Sequence, residues 1–386
     1  VDDTTMRAER AERLGLWRIA ATEYEASLSL LKPEERSQKQ LRAAHVRARA
    51  GDVGGALQSY DASIRAGAVH HRPTALLGFA SLLLEIGESD RAHRVIEGVK
   101  MAIDGTKELR AAAELSALEA RVQVRRGSQD KAMARLTEAR QRTEQLKRTD
   151  ARGARALEAL NQEIRAEVAV LAGDGDAARL NLKQARDGFR DLGREADALR
   201  CLVDLGFLEL ESNLASRAVD TFRAATRLAA AADLDRETLR ADIGLGTALV
   251  GIGELDEGMR HLRHGLKSAR ADGDTATFAV ASLGMAQAMI ARGLFVDAMR
   301  YVERGVAACD APRVLARALL IEGEAWAGQD QPRKAQRAAE RAAEVAQRTG
   351  DGLLIKKIHG IRRVVSRLGG PSAAPSVNAA ALSLAG

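Results

Sequence analysis

Nine times along this chain a small residue stands twelve positions before a marker residue, and an apolar one stands four positions after it. The markers are Ala20, Ala56, Ala92, Ala132, Ala178, Ala218, Gly258, Ala298 and Ala335. Twelve before them lie Ala8, Ala44, Ala80, Ala120, Ala166, Gly206, Gly246, Ala286 and Gly323, all Ala or Gly. Four after them lie Tyr24, Tyr60, Ile96, Leu136, Leu182, Phe222, Leu262, Val302 and Ala339. If Ala and Gly filled a third of all positions, nine small residues in nine trials would arise about once in twenty thousand. A supersecondary unit that recurs in this way stacks as a solenoid. Function then falls on an extended surface rather than in a catalytic pocket.

Composition says what the unit is made of. Hydrophobic residues reach 46% while aromatics are only 3%, so the apolar content is mostly Ala and Leu, which favour helix. Proline, the strongest helix breaker, occurs six times. Alternating strand-type runs are absent. A chain of 386 residues could make two or three domains, but the repeats run from near residue 4 to near residue 350 and predict one elongated body.

Each unit reads as two helices joined by a turn. Five before the markers stand Gly15, Gly51, Gly87, Gly127, Gly173, Asn213, Gly253, Gly293 and Asp330, the residue types that accept left-handed backbone. Small residues at the marker and twelve before it let two antiparallel helices cross closely. A third small position, seven after the marker, holds Ser27, Ser63, Ala139, Ala185, Ala225, Gly265, Gly305 and Ala342, with Val99 the exception. It offers a seat for the first helix of the next unit.

This pattern resembles the tetratricopeptide repeat (TPR). The first unit carries it almost in full, with Ala8, Gly15, Ala20, Tyr24, Ser27 and, one place late, Pro33. The resemblance implies an all-α fold: a right-handed α-solenoid, the TPR superhelix, of about nine helix–turn–helix units. Marker spacings of 36, 36, 40, 46, 40, 40, 40 and 37 depart from the shorter family standard. Such long units resemble those of bacterial regulatory and adaptor TPR proteins. Six extra residues add about 9 Å of helix, and the 46-residue step predicts longer helices around residues 137–159. Beyond the ninth unit, Leu354, Ile358, Ile361, Val365 and Leu368 form one apolar stripe, backed by Lys356, Lys357, Arg362, Arg363 and Arg367. That segment, 352–368, reads as a capping helix closing a solenoid over 1–368, with a membrane-surface or coiled-coil helix as the alternative. The Gly-, Pro- and Ser-rich stretch 369–386 reads as a disordered tail, ending in a docking tag or an inert end.

Charge and motifs narrow the function classes. The net charge is +6 and comes mostly from Arg, yet acids and bases are interspersed (Arg7, Glu9, Arg10, Glu12, Arg13), as on solvated helix faces. A nucleic-acid stripe would be more segregated and richer in stacking aromatics. Cys201 and Cys309 are read as buried small hydrophobes. The glycines of 244–253 lack dinucleotide-loop spacing, and Gly265-Leu266-Lys267-Ser268 lacks a phosphate loop. His261 and His264 share a helix face and His70-His71 sits at a unit boundary, but two ligands make no metal site. No nucleophile–base set can be named, so the expectation is no enzyme, no catalytic residue, no cofactor and no metal. The first residues lack an apolar signal core, and the stretch Leu76 to Ile86 is too short to span a bilayer. A cytoplasmic protein without membrane insertion is expected. The opening Val leaves room for an alternative start codon or a longer parent protein.

By the resemblance, the first helix of each unit lines a concave groove. Its facing positions place Arg42, His45, Arg49, Arg121 and Arg125 in the early units, while later units turn neutral to apolar with Phe207, Thr247, Val250, Gln287 and Ile290. These six residues, Arg42, His45, Arg49, Arg121, Arg125 and Phe207, form the candidate partner-binding groove. The basic set reads either as anchors for a peptide with an acidic segment, through bidentate carboxylate contacts, or as ordinary solvated Arg. The carboxylate clamp of chaperone-binding relatives uses Lys and Asn where Thr5, Leu41, Glu9 and His45 stand here, and is unsupported. The chain is therefore expected to be a protein–protein interaction scaffold or adaptor. The rivals are a peptide- or ligand-sensing region of a larger transcription regulator or kinase, and nucleic-acid binding through an Arg-rich surface. A homo-oligomer through exposed end units stays open.

Overall fold

The computed structural model describes residues 3–13, 16–28, 33–50, 52–65, 73–101, 103, 108–232, 234–309 and 311–359. Among these residues nine helical pairs follow one another: α1 (Asp3–Arg13) with α2 (Trp17–Leu28), α3 (Pro33–Ala50) with α4 (Val53–Arg65), and α5 (Pro73–Glu85) with α6 (Ser89–Lys100). Then come α7 (Leu109–Arg125) with α8 (Gln129–Leu146), α9 (Ala151–Leu171) with α10 (Gly175–Asp191), and α11 (Glu195–Glu211) with α12 (Ala215–Ala231). The last three pairs are α13 (Asp235–Gly251) with α14 (Leu255–Asp272), α15 (Thr275–Ala291) with α16 (Phe295–Ala308), and α17 (Pro312–Gly328) with α18 (Pro332–Thr349). Residues 352–359 form a further helix, α19. No strand occurs among the described residues. The chain is an all-α solenoid, and α9, at 21 residues the longest of the eighteen paired helices, falls at the 46-residue step.

Every marker lies on the second helix of its pair, and every partner twelve before it on the first. Ala8, Ala20, Ala44, Ala56, Ala80, Ala92, Ala120 and Ala132 are fully buried, and the later pairs are buried likewise. So are the large residues four after each marker, led by Tyr24, Tyr60, Ile96 and Phe222. The turn prediction holds at the level of backbone angle. Gly87, Gly127, Gly173, Gly253 and Gly293 all have positive φ, and Asn213 (58°) and Asp330 (56°) are the only non-glycine residues that do among those described. Gly15 and Gly51 lie outside the described residues.

The small-residue rule is tightest in the seventh unit. A Cβ added at Gly258 would meet the Gly246 carbonyl oxygen at 2.7 Å and the Val250 nitrogen at 3.1 Å, and one at Gly246 would meet the Gly258 carbonyl oxygen at 2.8 Å. Both obstacles are backbone, which cannot rotate away. Gly258→Ala gains helix propensity, but overpacking outweighs it, and a net loss of about 1–2 kcal/mol is expected. Gly98→Ala, with no atom near its new Cβ, should instead stabilise by about 0.5–1 kcal/mol. Urea midpoints of the two variants check this contrast; equal shifts would remove the close-crossing explanation of the repeat.

Successive turns of the superhelix touch one another. Trp17, just past the first turn, packs with Ala196, Leu199, Ala229 and Leu234 of the sixth unit and its exit, and Arg18 pairs with Asp235. In the second unit, Gly54 faces the Asp272 carbonyl oxygen at the exit of the seventh. Gly87 faces Cys309 Sγ at the exit of the eighth, and Gly350, at the exit of the ninth, faces the Gly127 carbonyl oxygen. Lys356 of α19 donates to the Gly173 carbonyl at 2.7 Å. The hairpin turn of each early unit thus meets the exit segment about five units on. Within α19, Leu354 and Ile358 are buried against α17 and α18; residues 360–386, on which the rest of the expected capping helix and the expected tail fall, lie outside the described residues.

Candidate ligand-binding groove

The first helices of the pairs bring charged residues of alternating sign onto one inner surface. Glu85 ends α5, Arg121 lies on α7, Glu163 and Glu167 on α9, and Asp197 and Arg200 on α11. Arg121 Nη2 donates to Glu163 Oε1 at 2.7 Å, and its Nε lies 2.9 Å from Glu167 Oε1 as an ionic contact without a directed hydrogen bond. Arg200 spans Glu163 (2.8 Å), Asp197 (2.8 Å) and Glu85 (3.5 Å). Arg236, at the start of α13, also binds Glu85. Burial pushes the Glu85 carboxyl up, but Arg236 and Arg200 overcome it and hold it down at about 2. Glu163 is likewise held low against burial by Arg121 and Arg200.

These contacts decide what the groove residues can do. Arg121 is 2% exposed, and its charge is spent on its own chain. Arg42 pairs with Glu12 at 2.9 Å and with Glu9 at 3.5 Å. His45 is half-buried, with Gly78 closely facing its ring. Arg49 belongs to α3, and its side chain lies outside the described residues. Arg125 is exposed and has no partner among the described residues. Phe207 packs edge-on against Phe222, ring centroids 5.1 Å apart, within a core cluster. The early basic set therefore does not converge as a patch of free cations: Arg42 and Arg121 are neutralised by carboxylates at neighbouring groove positions.

Sequence reasoning missed two places. One is a cleft of about 460 Å³ where the second unit meets the seventh, lined by Arg18, Arg47, Asp52, Arg236, Asp272 and Asp274 among others. It arises from contact between superhelical turns, so no local motif announces it. The other lies at the far end of the groove, where Arg313, Arg317 and Glu324 of α17 meet Lys357 of α19. His261 and His264 do share a face, and both turn Nδ1 toward Asp242, at 2.6 and 3.2 Å. Among the described residues no group of three or more His, Cys, Asp or Glu is placed to hold a metal, and no helix is long and apolar enough to cross a membrane.

No protein-family model and no curated protein matches the chain. Solved structures do. A Rap protein complexed with Competence and Sporulation Factor is similar over 78% of this chain and 83% of its own, with TM-score 0.55 and 14% identity. NprR in complex with its cognate peptide NprX is similar over 76% and 84%, with TM-score 0.53 and 10% identity. A signal transduction ATPase with numerous domains from Pyrococcus horikoshii, bearing a tetratricopeptide repeat sensor, is similar over 88% of this chain and 55% of its own, with TM-score 0.50 and 12% identity. At such identities the likeness is one of fold: a solenoid of stacked helical hairpins similar to those of tetratricopeptide-repeat structures.

Proposed function

We propose that the chain is a non-catalytic scaffold that holds a partner peptide in its concave groove, in bacterial cytoplasmic signalling or assembly. The observation that carries this reading is the change along the groove. Its early and middle units spend their charges on one another, while α15 presents the half-buried Gln287 and Ile290, and Arg317 of α17 and Lys357 of α19 stand without an ion pair among the described residues. A surface with neutral hydrogen-bonding groups, apolar contacts and unspent cations suits an extended or helical peptide. Two proteins of similar fold support it: NprR is complexed with its cognate peptide, and the Rap protein with Competence and Sporulation Factor.

A second reading, a sensor region of a larger regulator, is favoured by the archaeal neighbour, in which the repeats form the sensor of a longer chain. In either case the groove is the receptor. The test is selection of peptides from a random display library on the immobilised chain, followed by affinity for Gln287→Trp, whose half-buried side chain lines the groove. The selected peptides should lose at least about tenfold in affinity, or roughly 1.4 kcal/mol. Undiminished binding to the blocked groove would overturn the reading.

A further inference from the structure

The lumen network recurs three units further on with most of its acids removed. Around Arg200 stand Glu85, Glu163 and Asp197. Counted from each unit's marker, the residues three units on are Glu211 for Glu85, Leu283 for Glu163 and Val314 for Asp197, with Arg317 in the place of Arg200. Glu167 and Arg121 become Gln287 and Thr247. The cation is kept, and of its three carboxylates only Glu211 remains. That one is taken: Arg313 binds Glu211 at 2.9 Å and Asp351 at 2.7 Å.

Arg317 is thus left without a hydrogen bond or ion pair among the described residues, and so is Lys357, which α19 brings into the same pocket. Burial lowers both cations, and Arg317 further lowers Lys357. Glu324 is the remaining acid of the pocket. Burial raises it against the pull of Lys357, and it lies beyond ion-pair distance of either cation. Two half-buried cations stand together with no ion pair among the described residues, and the carboxylates of Glu211, Asp351 and Glu324 act on them only from beyond ion-pair distance. The pocket holds about 30 Å³ beside Leu320, Leu353 and Leu354, at about 10–15 Å³ per water-sized probe enough for two waters or one carboxylate. A planar guanidinium beside an ammonium matches a carboxylate in shape and charge.

We propose that Arg317 and Lys357 form a carboxylate-binding subsite at the C-terminal end of the groove. The carboxylate belongs to an acidic side chain or to the terminus of the bound peptide. The subsite deepens the peptide reading and rests on it only for that source. It moves the acidic anchor from the early units, where Arg42 and Arg121 are already paired, to the ninth unit and its cap.

The experiment titrates the full chain with N-acetyl-aspartate amide, N-acetyl-alanine and, as the neutral probe, N-acetyl-asparagine amide. It reads the Arg Nε–H resonances by NMR, with Arg317 assigned by its loss in Arg317→Gln. At least one acid should shift Arg317 with a dissociation constant tenfold or more below that of the neutral amide. The tighter acid identifies the source. Lys357→Met should weaken that acid tenfold or more, whereas Glu324→Gln should leave it unchanged or tighten it. Equal response to acids and neutral amide in the unsubstituted chain, which needs no variant to fold, would overturn the subsite, as would indifference to Lys357→Met. Acid binding without any groove-selected peptide would leave the subsite standing and remove the peptide reading. Selected peptides with no acid response would do the reverse.

Discussion

Arg121→Ala is expected to cost about 3–5 kcal/mol, whereas Arg125→Ala, four residues along the same helix, should change stability by no more than about 0.5 kcal/mol. The two arginines look alike in the sequence, and both face the groove by repeat position. They differ in what surrounds them. Arg121 is 2% exposed and joins α7 to α9 through Glu163, itself 3% exposed, and Glu167. Removing the guanidinium leaves the buried Glu163 with Arg200 alone and the partly buried Glu167 without an ion-pair partner. Arg125 has no such partner to abandon. Because repeat arrays are held by nearest-neighbour interfaces, the damage should concentrate where α7 meets α9. It is measured as a urea midpoint shift by circular dichroism, with hydrogen exchange reporting α7 and α9. Arg121→Met combined with Glu167→Met removes both members of one pair and keeps Glu163 on Arg200. It should recover part of the loss. An Arg121→Ala midpoint equal to that of Arg125→Ala would show that the pairing contributes nothing to stability.

The comparison of these two residues marks how far the sequence could be read. Hairpin boundaries, turn residues and close-packed positions were legible because each is enforced locally. Asn213 and Asp330 stand where glycine stands elsewhere, and both adopt the left-handed backbone the position demands. The charged groove was half legible. Its members could be placed on the inner face, but Arg121 and Glu163 are 42 residues apart, and reading each unit separately made every Arg a candidate for an external partner. The available signal was the alternation of sign from unit to unit: Glu85, then Arg121, then Glu163 and Glu167, then Arg200. The contacts between superhelical turns were not legible at all. Whether Gly87 meets Cys309 or open solvent depends on the accumulated rotation of five units, and no single spacing encodes it. The Arg317 and Lys357 pocket combines both problems, since it needs the repeat register and the return of α19 against the ninth unit.

Acid should loosen the superhelix at Glu85, and Glu85→Gln should remove much of that response. Glu85 is the one carboxylate that Arg200 and Arg236 approach from across the lumen, 115 and 151 residues away in the chain, so it ties the third unit to the sixth and seventh. Its folded-state pKa is about 2 against an ordinary value of 4.5. Between those values the unfolded or unwound chain carries the proton and the closed form does not, so falling pH favours opening. The stabilisation is complete above about pH 5 and is lost as pH drops toward 2; a shift of this size corresponds to about 3 kcal/mol. Glu163, also held low, adds to the same slope. Glu237 and Glu324 are raised by burial and act oppositely: they favour the folded form as pH falls, but at pH values above the ordinary carboxylate range, so the two effects occupy separate windows. The expected result is a radius of gyration, by small-angle scattering, that rises between pH 5 and pH 2 before helicity is lost. Glu85→Gln should already be expanded at neutral pH and respond less to acid, because Arg236 then keeps only Asp274, 3.9 Å away. A variant as compact as the parent chain at pH 7, with the same acid profile, would mean that the apolar contacts around Trp17 and the backbone approaches at Gly127 and Gly173 hold the turns together without the ion pairs.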